Sequence, residues 1–237
     1  AMADGNVADT EQTTRVTGSS ATIEQHGTGG QAYVQQGVWG TSTVTDSIAS
    51  ITQHGNGGYA YAWQYEGVTG SGQAITQNNG GTAYANQSGS VTGSSQAITQ
   101  NNGGYAYAGQ FSSVVGSSQA ITQNNGGSAD ARQVGVVTGG SQTIYQKGNS
   151  SADAYNRSGS DLHASIFQDY GSGNRAYLYQ GLSYYATQAY LYGDASGSWG
   201  NIEQYGNSNR AVLEQIGLAN GGTVVQSGDL NEATVLQ

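Results

Sequence analysis

The chain repeats one motif almost unchanged along much of its length. The segment SGQAITQNNGGTAYANQ at 71–87 is followed by SSQAITQNNGGYAYAGQ at 94–110 and SSQAITQNNGGSADARQ at 117–133, at intervals of 23 residues. Self-similarity with a period of about 20 to 50 residues is typical of solenoids and repeat arrays. The repeat therefore constrains the fold more than any local pattern does.

A glutamine anchors each copy, at steps of 22 to 28 residues and one step of 36. The anchors are Gln25, Gln53, Gln77, Gln100, Gln123, Gln146, Gln168, Gln204 and Gln226. A β-branched apolar residue stands two positions before every anchor, and these residues are the predicted core: Ile23, Ile51, Ile75, Ile98, Ile121, Ile144, Ile166, Ile202 and Val224. A serine stands six positions before most anchors: Ser19, Ser47, Ser71, Ser94, Ser117 and Ser198.

Each anchor is followed by an alanine, and a second amide stands four residues after that alanine. These amides are Gln36, Gln64, Gln87, Gln110, Gln133, Asn156, Gln180, Gln215 and Gln237. We call the Ser-x5-Gln half of the motif the first strand and the Ala-x3-Gln half the second strand. Because alternate residues of a strand share a face, the anchor, the isoleucine and the serine all point inward.

Segments rich in Asn and Gly separate the two strands, as in NNGG at 78–81, 101–104 and 124–127. Both residues reach left-handed backbone angles at low cost, so these segments are predicted turns. Gly, Ser and Thr clusters such as 68–71 link one copy to the next. The predicted fold is an all-β solenoid of stacked strand-turn-strand repeats, with two facing parallel sheets and about nine to ten cross-β layers.

The repeated glutamines have a physical explanation in this fold. A buried amide without partners costs several kcal/mol, and it needs both a donor and an acceptor. When identical amides stack in register, each binds the one above and the one below. Each copy of the motif is therefore the predicted hydrogen-bonding partner of the next.

Composition narrows the functional classes. Only 9% of the residues are charged, and the net charge of −9 argues against nucleic acid or an anionic membrane as a partner. The chain has no cysteine, which excludes disulfides and thiolate metal sites, and no cofactor is predicted. No apolar run approaches the ~20 residues of a membrane span. Ala1-Met2-Ala3 is compatible with a cloning scar or with the N-terminus left after signal-peptide removal.

Ser-x5-Gln, a turn bearing Gly or Asn, and then Ala-x3-Gln is a pattern that resembles the curlin repeats of curli, the bacterial functional amyloid. The segment 204–211, QYGNSNRA, follows the family form Gln-x-Gly-x2-Asn-x-Ala closely. The likeness covers 19–237, and 6–12 fits the second half of a repeat, so 1–18 is assigned as a half-repeat with a linker. Segment 181–197 departs from the pattern, because AYLYG at 189–193 has no proper first strand before it; it is either a degenerate repeat or an extruded loop.

The resemblance implies a secreted, extracellular, cell-surface fibre that serves biofilm matrix, adhesion and aggregation. It also implies export through an outer-membrane secretion channel and a nucleator subunit as partner; whether this chain would be the major subunit or the nucleator stays open. Physical reasoning agrees with polymerisation, because both end layers are expected to expose strand edges without capping units. Contact of one end with the opposite end of another copy gives a homopolymeric filament if it does not close.

Two pairs of polar residues invite other interpretations. His26 and His54 occupy equivalent positions in successive repeats; two exposed histidines are favoured over a shared metal site, because no third ligand is evident. Asp130 and Asp153 stack on the outer face one layer apart. They are interpreted as gatekeepers whose charge slows strand addition, with Arg132 offsetting one of them, and not as a catalytic pair.

Outward tyrosines form a predicted ladder on the second strands: Tyr33, Tyr61, Tyr84 and Tyr107, continued in type by Tyr177 and Tyr190 with Trp63 beside it. It either stabilises the sheet or provides a surface for ligands or fibre bundling. A fibre subunit is the favoured function. The alternative is a soluble, non-polymerising solenoid adhesin or ice-binding protein, for which the only apparent threonine run is 41–45. An enzyme is disfavoured, because no acid-base cluster converges.

Overall fold

The structure, a computed structural model, describes residues 5–13, 15–37, 43–170, 174–180, 187–196, 199–205, 209–218 and 221–236. Over these residues the chain is a β-solenoid, in which successive long strands alternate between two parallel sheets. The apolar inner faces of the two sheets meet in one continuous core. The predicted fold class is confirmed.

The strands are numbered in chain order, and the two sheets share them alternately. In the described residues, sheet 1 stacks β1 (Val7–Gln12), β4 (Gln31–Gln36), β7 (Tyr59–Tyr65), β10 (Thr82–Thr92), β12 (Tyr105–Val115), β14 (Ser128–Thr138), β16 (Ser151–Ser160), β18 (Arg175–Gln180), β20 (Trp199–Tyr205) and β22 (Gly221–Ser227). Sheet 2 stacks β3 (Ser20–His26), β6 (Ile48–His54), β9 (Gly72–Asn78), β11 (Ser95–Asn101), β13 (Ser118–Asn124), β15 (Ser141–Lys147), β17 (Leu162–Tyr170), β19 (Thr187–Ser196), β21 (Arg210–Leu218) and β23 (Glu232–Leu236).

Identical residues stack directly on one another because the strands pair in register. Ile98 of β11 lies between Ile75 and Ile121, and every residue of β11 has its counterpart on β9 and β13. Alternate residues of β11 are buried, as the repeat predicts. The facing sheet contributes alanine to the same core over most of the stack, so the core is thin.

The linkers between repeats contain a second apolar column that the sequence analysis missed. Short strands β2 (Val16–Thr17), β5 (Val44–Thr45) and β8 (Val68–Thr69) pair in parallel, and β8 also pairs with the end of β10. A valine from each of five successive layers is fully buried there: Val44, Val68, Val91, Val114 and Val137. The linker is therefore a structural part of these layers and not a polar connection.

The order of first and second strands changes at β19. Residues 187–196 form this strand, which pairs in parallel with β17 and β21, whereas 181–186 and 197 lie outside the described residues. The segment adds one strand where a whole repeat would add two, so every later strand moves to the other sheet. First strands lie in sheet 2 up to β17, but the first strands β20 and β22 lie in sheet 1.

This exchange changes the neighbours of four buried core and anchor residues. Ile202 and Val224 continue the column of Leu178 in sheet 1 and not that of Ile166. Gln204 and Gln226 likewise stack on Gln180 and not on Gln168. The physical reason is the strict alternation of strands between sheets, which a single added strand shifts by half a repeat.

Candidate functional site

The anchor glutamines of the first strands form a continuous hydrogen-bonded ladder through sheet 2. In each bond the side-chain Nε2 of one glutamine donates to Oε1 of the next, at 2.7 to 3.0 Å. The ladder runs through Gln25, Gln53, Gln77, Gln100, Gln123, Gln146 and Gln168. All of these side chains are buried except that of Gln25, which is half-buried in the end layer.

A second ladder follows the second strands through sheet 1. It runs through Gln12, Gln36, Gln64, Gln87, Gln110 and Gln133. It stops at Asn156, whose side chain is one methylene shorter than glutamine. Gln133 Nε2 and Asn156 Oδ1 are buried without hydrogen-bond partners among the described residues, while Asn156 Nδ2 donates to the Leu162 carbonyl at 3.2 Å.

Beyond the change of strand order, Gln180 donates to Gln204 at 3.2 Å and Gln204 donates to Gln226 at 2.7 Å. This ladder joins a second-strand amide to two first-strand anchors, which is the side-chain counterpart of the exchange between sheets. Of Gln215 only the backbone is described, and Gln237 lies outside the described residues.

A third ladder, which the sequence analysis did not assign, bridges the two sheets. Its members stand four residues before the anchors in four successive repeats, and they bind one another at 2.7 to 2.9 Å: Gln73, Gln96, Gln119 and Gln142. Each Nε2 also donates to a backbone carbonyl of sheet 1, such as that of Asn86 for Gln96 at 2.9 Å. The recurrence of glutamine at that inward position is the sequence feature from which this ladder could be predicted.

The buried serines join neighbouring layers as well. The Oγ atom of Ser71 accepts a hydrogen bond from the backbone N–H of Ser94 at 3.2 Å, and Ser94 Oγ accepts from Ser117 at the same distance. From Ser19 to Ser117, the serines six positions before the anchors therefore bind the backbone of the next layer at the entry into its first strand, whereas Ser198 lies outside the described residues.

The hydrogen bonds of all the ladders run in the same direction, so the two ends of the stack differ chemically. Every glutamine–glutamine bond described above runs from a donor nearer the N-terminus to an acceptor nearer the C-terminus. At one end, Gln25 Oε1 is buried and has no hydrogen-bond partner among the described residues. At the other end, Gln226 accepts from Gln204 and uses Nε2 to donate to the Arg210 carbonyl at 3.0 Å, and an amide nitrogen carries two N–H groups. One end therefore offers an acceptor and the other a donor.

The outer face of sheet 1 carries an aromatic cluster. The rings of Tyr33 and Tyr61 stack at 5.5 Å, and those of Tyr61 and Tyr84 at 6.5 Å. The next ring in contact with Tyr84 is that of Tyr105, at 6.1 Å, whereas Tyr107 lies beneath the Arg132 guanidinium. Tyr177 belongs to β18 of sheet 1, but the sequence assignment of Tyr190 to the same row is wrong, because its strand β19 lies in sheet 2.

The predicted histidine pair lies at the ends of β3 and β6. The rings of His26 and His54 stack with centroids 5.0 Å apart, and His26 Nε2 lies 2.6 Å from Glu24 Oε1. Both imidazoles are exposed. Across the described residues, no group of three or more His, Cys, Asp or Glu side chains is placed to hold a metal ion.

Asp130 and Asp153 are stacked on the outer face of sheet 1, and they differ in their surroundings. The Arg132 guanidinium binds both carboxylate oxygens of Asp130, with Nε donating to Oδ1 at 3.0 Å. Asp153 pairs in register with Asp130 on one side and with Tyr177 on the other. Burial raises the pKa of Asp153 to about 6; the Asp130 charge adds to the rise and Arg132 opposes it.

We expect Asp153→Asn to stabilise the chain at pH 7. A carboxyl group whose pKa is raised in the folded state stabilises the fold below its ordinary pKa of 3.8, and this contribution is lost as the pH rises through about 6. The urea midpoint of the variant should exceed that of the wild type at pH 7, and the difference should shrink towards pH 4. Asp9→Asn, at an exposed position of β1, makes the same charge change as a control; an equal gain there would contradict the explanation.

Comparison with known proteins assigns the chain to no family. No protein-family model matches the chain, and no curated protein is significantly similar to it. Within the described residues there is no helix of the length and apolar character that a membrane crossing requires. The repeat and the solenoid itself are therefore the features that bear on function.

Proposed function

We propose that this chain is the structural subunit of an extracellular, curli-like cross-β fibre, and that subunits add head to tail. The observation that carries the proposal is the polarity of the amide ladders, with an acceptor at Gln25 and a donor at Gln226. Head-to-tail addition brings the Gln226 donor towards the acceptor end of the next copy, whereas contact between two N-terminal ends would oppose two acceptors. Biofilm matrix and adhesion, export through an outer-membrane channel and a nucleator subunit belong to the same proposal, on the strength of the repeat motif.

Exposure of the end layers supports polymerisation. The inward residues Ile23 on β3 and Val235 on β23 are only partly buried, whereas the core positions of inner strands are buried. Strand edges with free N–H and C=O groups pair readily with further strands. Because the two ends differ, their contact is heterologous, and repeated contact without closure produces a filament.

Fibre diffraction of the quiescently incubated chain tests the proposal directly. We expect a meridional reflection near ~4.8 Å from stacked strands and an equatorial one near ~10 Å from facing sheets. The substitution Gln25→Lys should reduce seeded elongation at least about tenfold, because addition of the next subunit would bury an ammonium group in place of the amide acceptor. Thr22→Lys, with the same charge on the outer face of β3, should elongate nearly as wild type. A β-rich chain that stays monomeric would refute the proposal.

A row of threonines favours a second candidate, a soluble solenoid that binds a regular surface such as ice. Thr52, Thr76, Thr99 and Thr122 stack in register on the outer face of sheet 2. This row differs from the threonine run apparent in the sequence, 41–45, of which 41 and 42 lie outside the described residues. Thermal hysteresis from monomeric protein, without fibres, would support this candidate in place of the fibre.

A further inference from the structure

Within the described residues, the two ends of the solenoid present opposite arrangements of strands. At the N-terminal end, the second strand β1 closes sheet 1 and the first strand β3 closes sheet 2. At the C-terminal end, the first strand β22 closes sheet 1 and the second strand β23 closes sheet 2. The single added strand β19 causes this difference, because it moves all later strands to the other sheet.

We infer that neighbouring subunits in the fibre are related by a half-turn about the solenoid axis, so that β22 stacks on β3 of the next copy and β23 stacks on its β1. This inference depends on the proposed head-to-tail fibre and specifies its interface. In this arrangement, first strands meet first strands and second strands meet second strands. The register places Gln226 on Gln25 and Val224 on Ile23, and it joins the donor end of one ladder to the acceptor end of another.

An asparagine before the second strands gives the half-turn its strongest support. Asn6, just before β1, donates to the Gly27 carbonyl at 2.9 Å and accepts from the Gly30 N–H at 2.8 Å. Asn209, just before β21, makes the same pair of bonds, with the Gly228 carbonyl at 2.9 Å and the Asn231 N–H at 3.0 Å. In both cases the asparagine holds the turn of the following layer.

Asn231 occupies the corresponding position before β23 in the last layer. A half-turn brings Asn6 of the next subunit over Asn231, so that the row of asparagines continues across the interface. A straight translation would instead bring Asn231 under Ser19, which belongs to the row that precedes first strands.

The lengths of the connections also favour the half-turn. Residues 27–30, between β3 and β4, and residues 228–231, between β22 and β23, are turns of equal length that join a first strand to a second strand. The connection from β1 to β3 is longer and includes β2, where the valine column begins. Translation would stack the turn at 228–231 on this longer connection, whereas the half-turn places turns of the same kind in line.

Engineered cysteine pairs distinguish the two arrangements, and the chain has no native cysteine to interfere. The half-turn places Thr223 beside Thr22 of the next copy, whereas translation places it beside Asp9. Residues in register on adjacent strands lie about 4.8 Å apart, within the Cα range of a disulfide. Both double variants, Thr22→Cys with Thr223→Cys and Asp9→Cys with Thr223→Cys, alter outer-face positions. Fibres are grown under reducing conditions, verified by electron microscopy, oxidised, and separated under denaturing, non-reducing conditions.

We expect a ladder of covalent oligomers from the Thr22/Thr223 pair and almost only monomer from the Asp9/Thr223 pair. The reverse result, or fibres in which neither pair cross-links, would overturn the half-turn while leaving the fibre in place. Absence of fibres from the wild-type chain would instead remove the proposed function. If a cysteine variant fails to assemble, the helical symmetry of wild-type fibres by electron cryomicroscopy decides the same question, since the half-turn adds ~180° of rotation per subunit to the intrinsic twist of the sheets.

Discussion

Replacing Gln100 by glutamate should lower the free energy of unfolding by about 3 kcal/mol or more at pH 7. The Gln100 amide accepts from Gln77 at 2.8 Å and donates to Gln123 at 2.8 Å. A carboxylate keeps the acceptor and loses the donor, so it opposes the Gln123 oxygen and leaves a charge in a site with no exposed area. Far-UV circular dichroism of freshly desalted monomer in urea measures the loss.

Ala97→Glu is the matched control, because it adds the same carboxylate three residues earlier on the outer face of β11. Ala97 is exposed and stacks between Ala74 and Ala120, so the added charge stays in water. We expect a change below about 1 kcal/mol. Acidification should reverse much of the Gln100→Glu effect, since a protonated carboxyl group regains a donor. Equal losses in the two variants, or a loss independent of pH, would contradict the buried-ladder explanation.

Gly104→Ala should cost about 2 to 4 kcal/mol, because two penalties combine at this turn. The residue has a φ of 104°, and a Cβ atom there would lie 2.9 Å from the Gly127 carbonyl oxygen of the next layer. Backbone cannot move away from the new methyl group as a flexible side chain could. The urea midpoint of the monomer reports the cost.

The preceding glycine supplies the control for this substitution. Gly103 has a φ of 79°, but a Cβ atom added there meets nothing within 4 Å. Gly103→Ala should therefore cost only the strain of the left-handed backbone, roughly 1–2 kcal/mol. If Gly104→Ala proved no more destabilising than Gly103→Ala, the close approach of successive turns would not limit the sequence there.

The repeated part of the fold could be predicted because each copy of the motif is the environment of the next. Ile98 identifies its own neighbours, Ile75 and Ile121, and the same holds for Gln100. In a protein without repeats, the identity of a core residue does not indicate which residues it contacts. Inward and outward faces, the turns and the parallel pairing all follow from that self-complementarity and from the period-2 geometry of strands.

The sequence left 181–197 open between a degenerate repeat and an extruded loop, because the segment that forms β19 lacks the usual markers. Gly193 stands where the second amide would be expected, and no anchor precedes Ala189 by the usual spacing. The residues of β20 do not reveal the change of sheet that follows, since they match the pattern of any other first strand. Only the count of strands between Gln180 and Gln204 determines which sheet it joins.

The valine column and the direction of the ladders were missed for different reasons. Strands β5 and β8 have two residues each, too few for a period to be recognised. The direction of the amide bonds is not encoded in residue type, because a glutamine side chain presents its donor and acceptor equally well in two orientations. It is set cooperatively by the neighbouring amides and by the carbonyls that Nε2 reaches.

The junction between β18 and β20 shows which structural unit can be added to such a solenoid. Across it, Ala176 meets Gly200, Leu178 meets Ile202 and Gln180 meets Gln204, so a small residue, an aliphatic residue and an amide match between strands of different kinds. The structural unit that can be added to the stack is thus the single strand and not only the whole repeat. An odd number of added strands keeps a small residue, an aliphatic residue and an amide in line at this junction, and it moves the outer faces of all later strands to the opposite sheet.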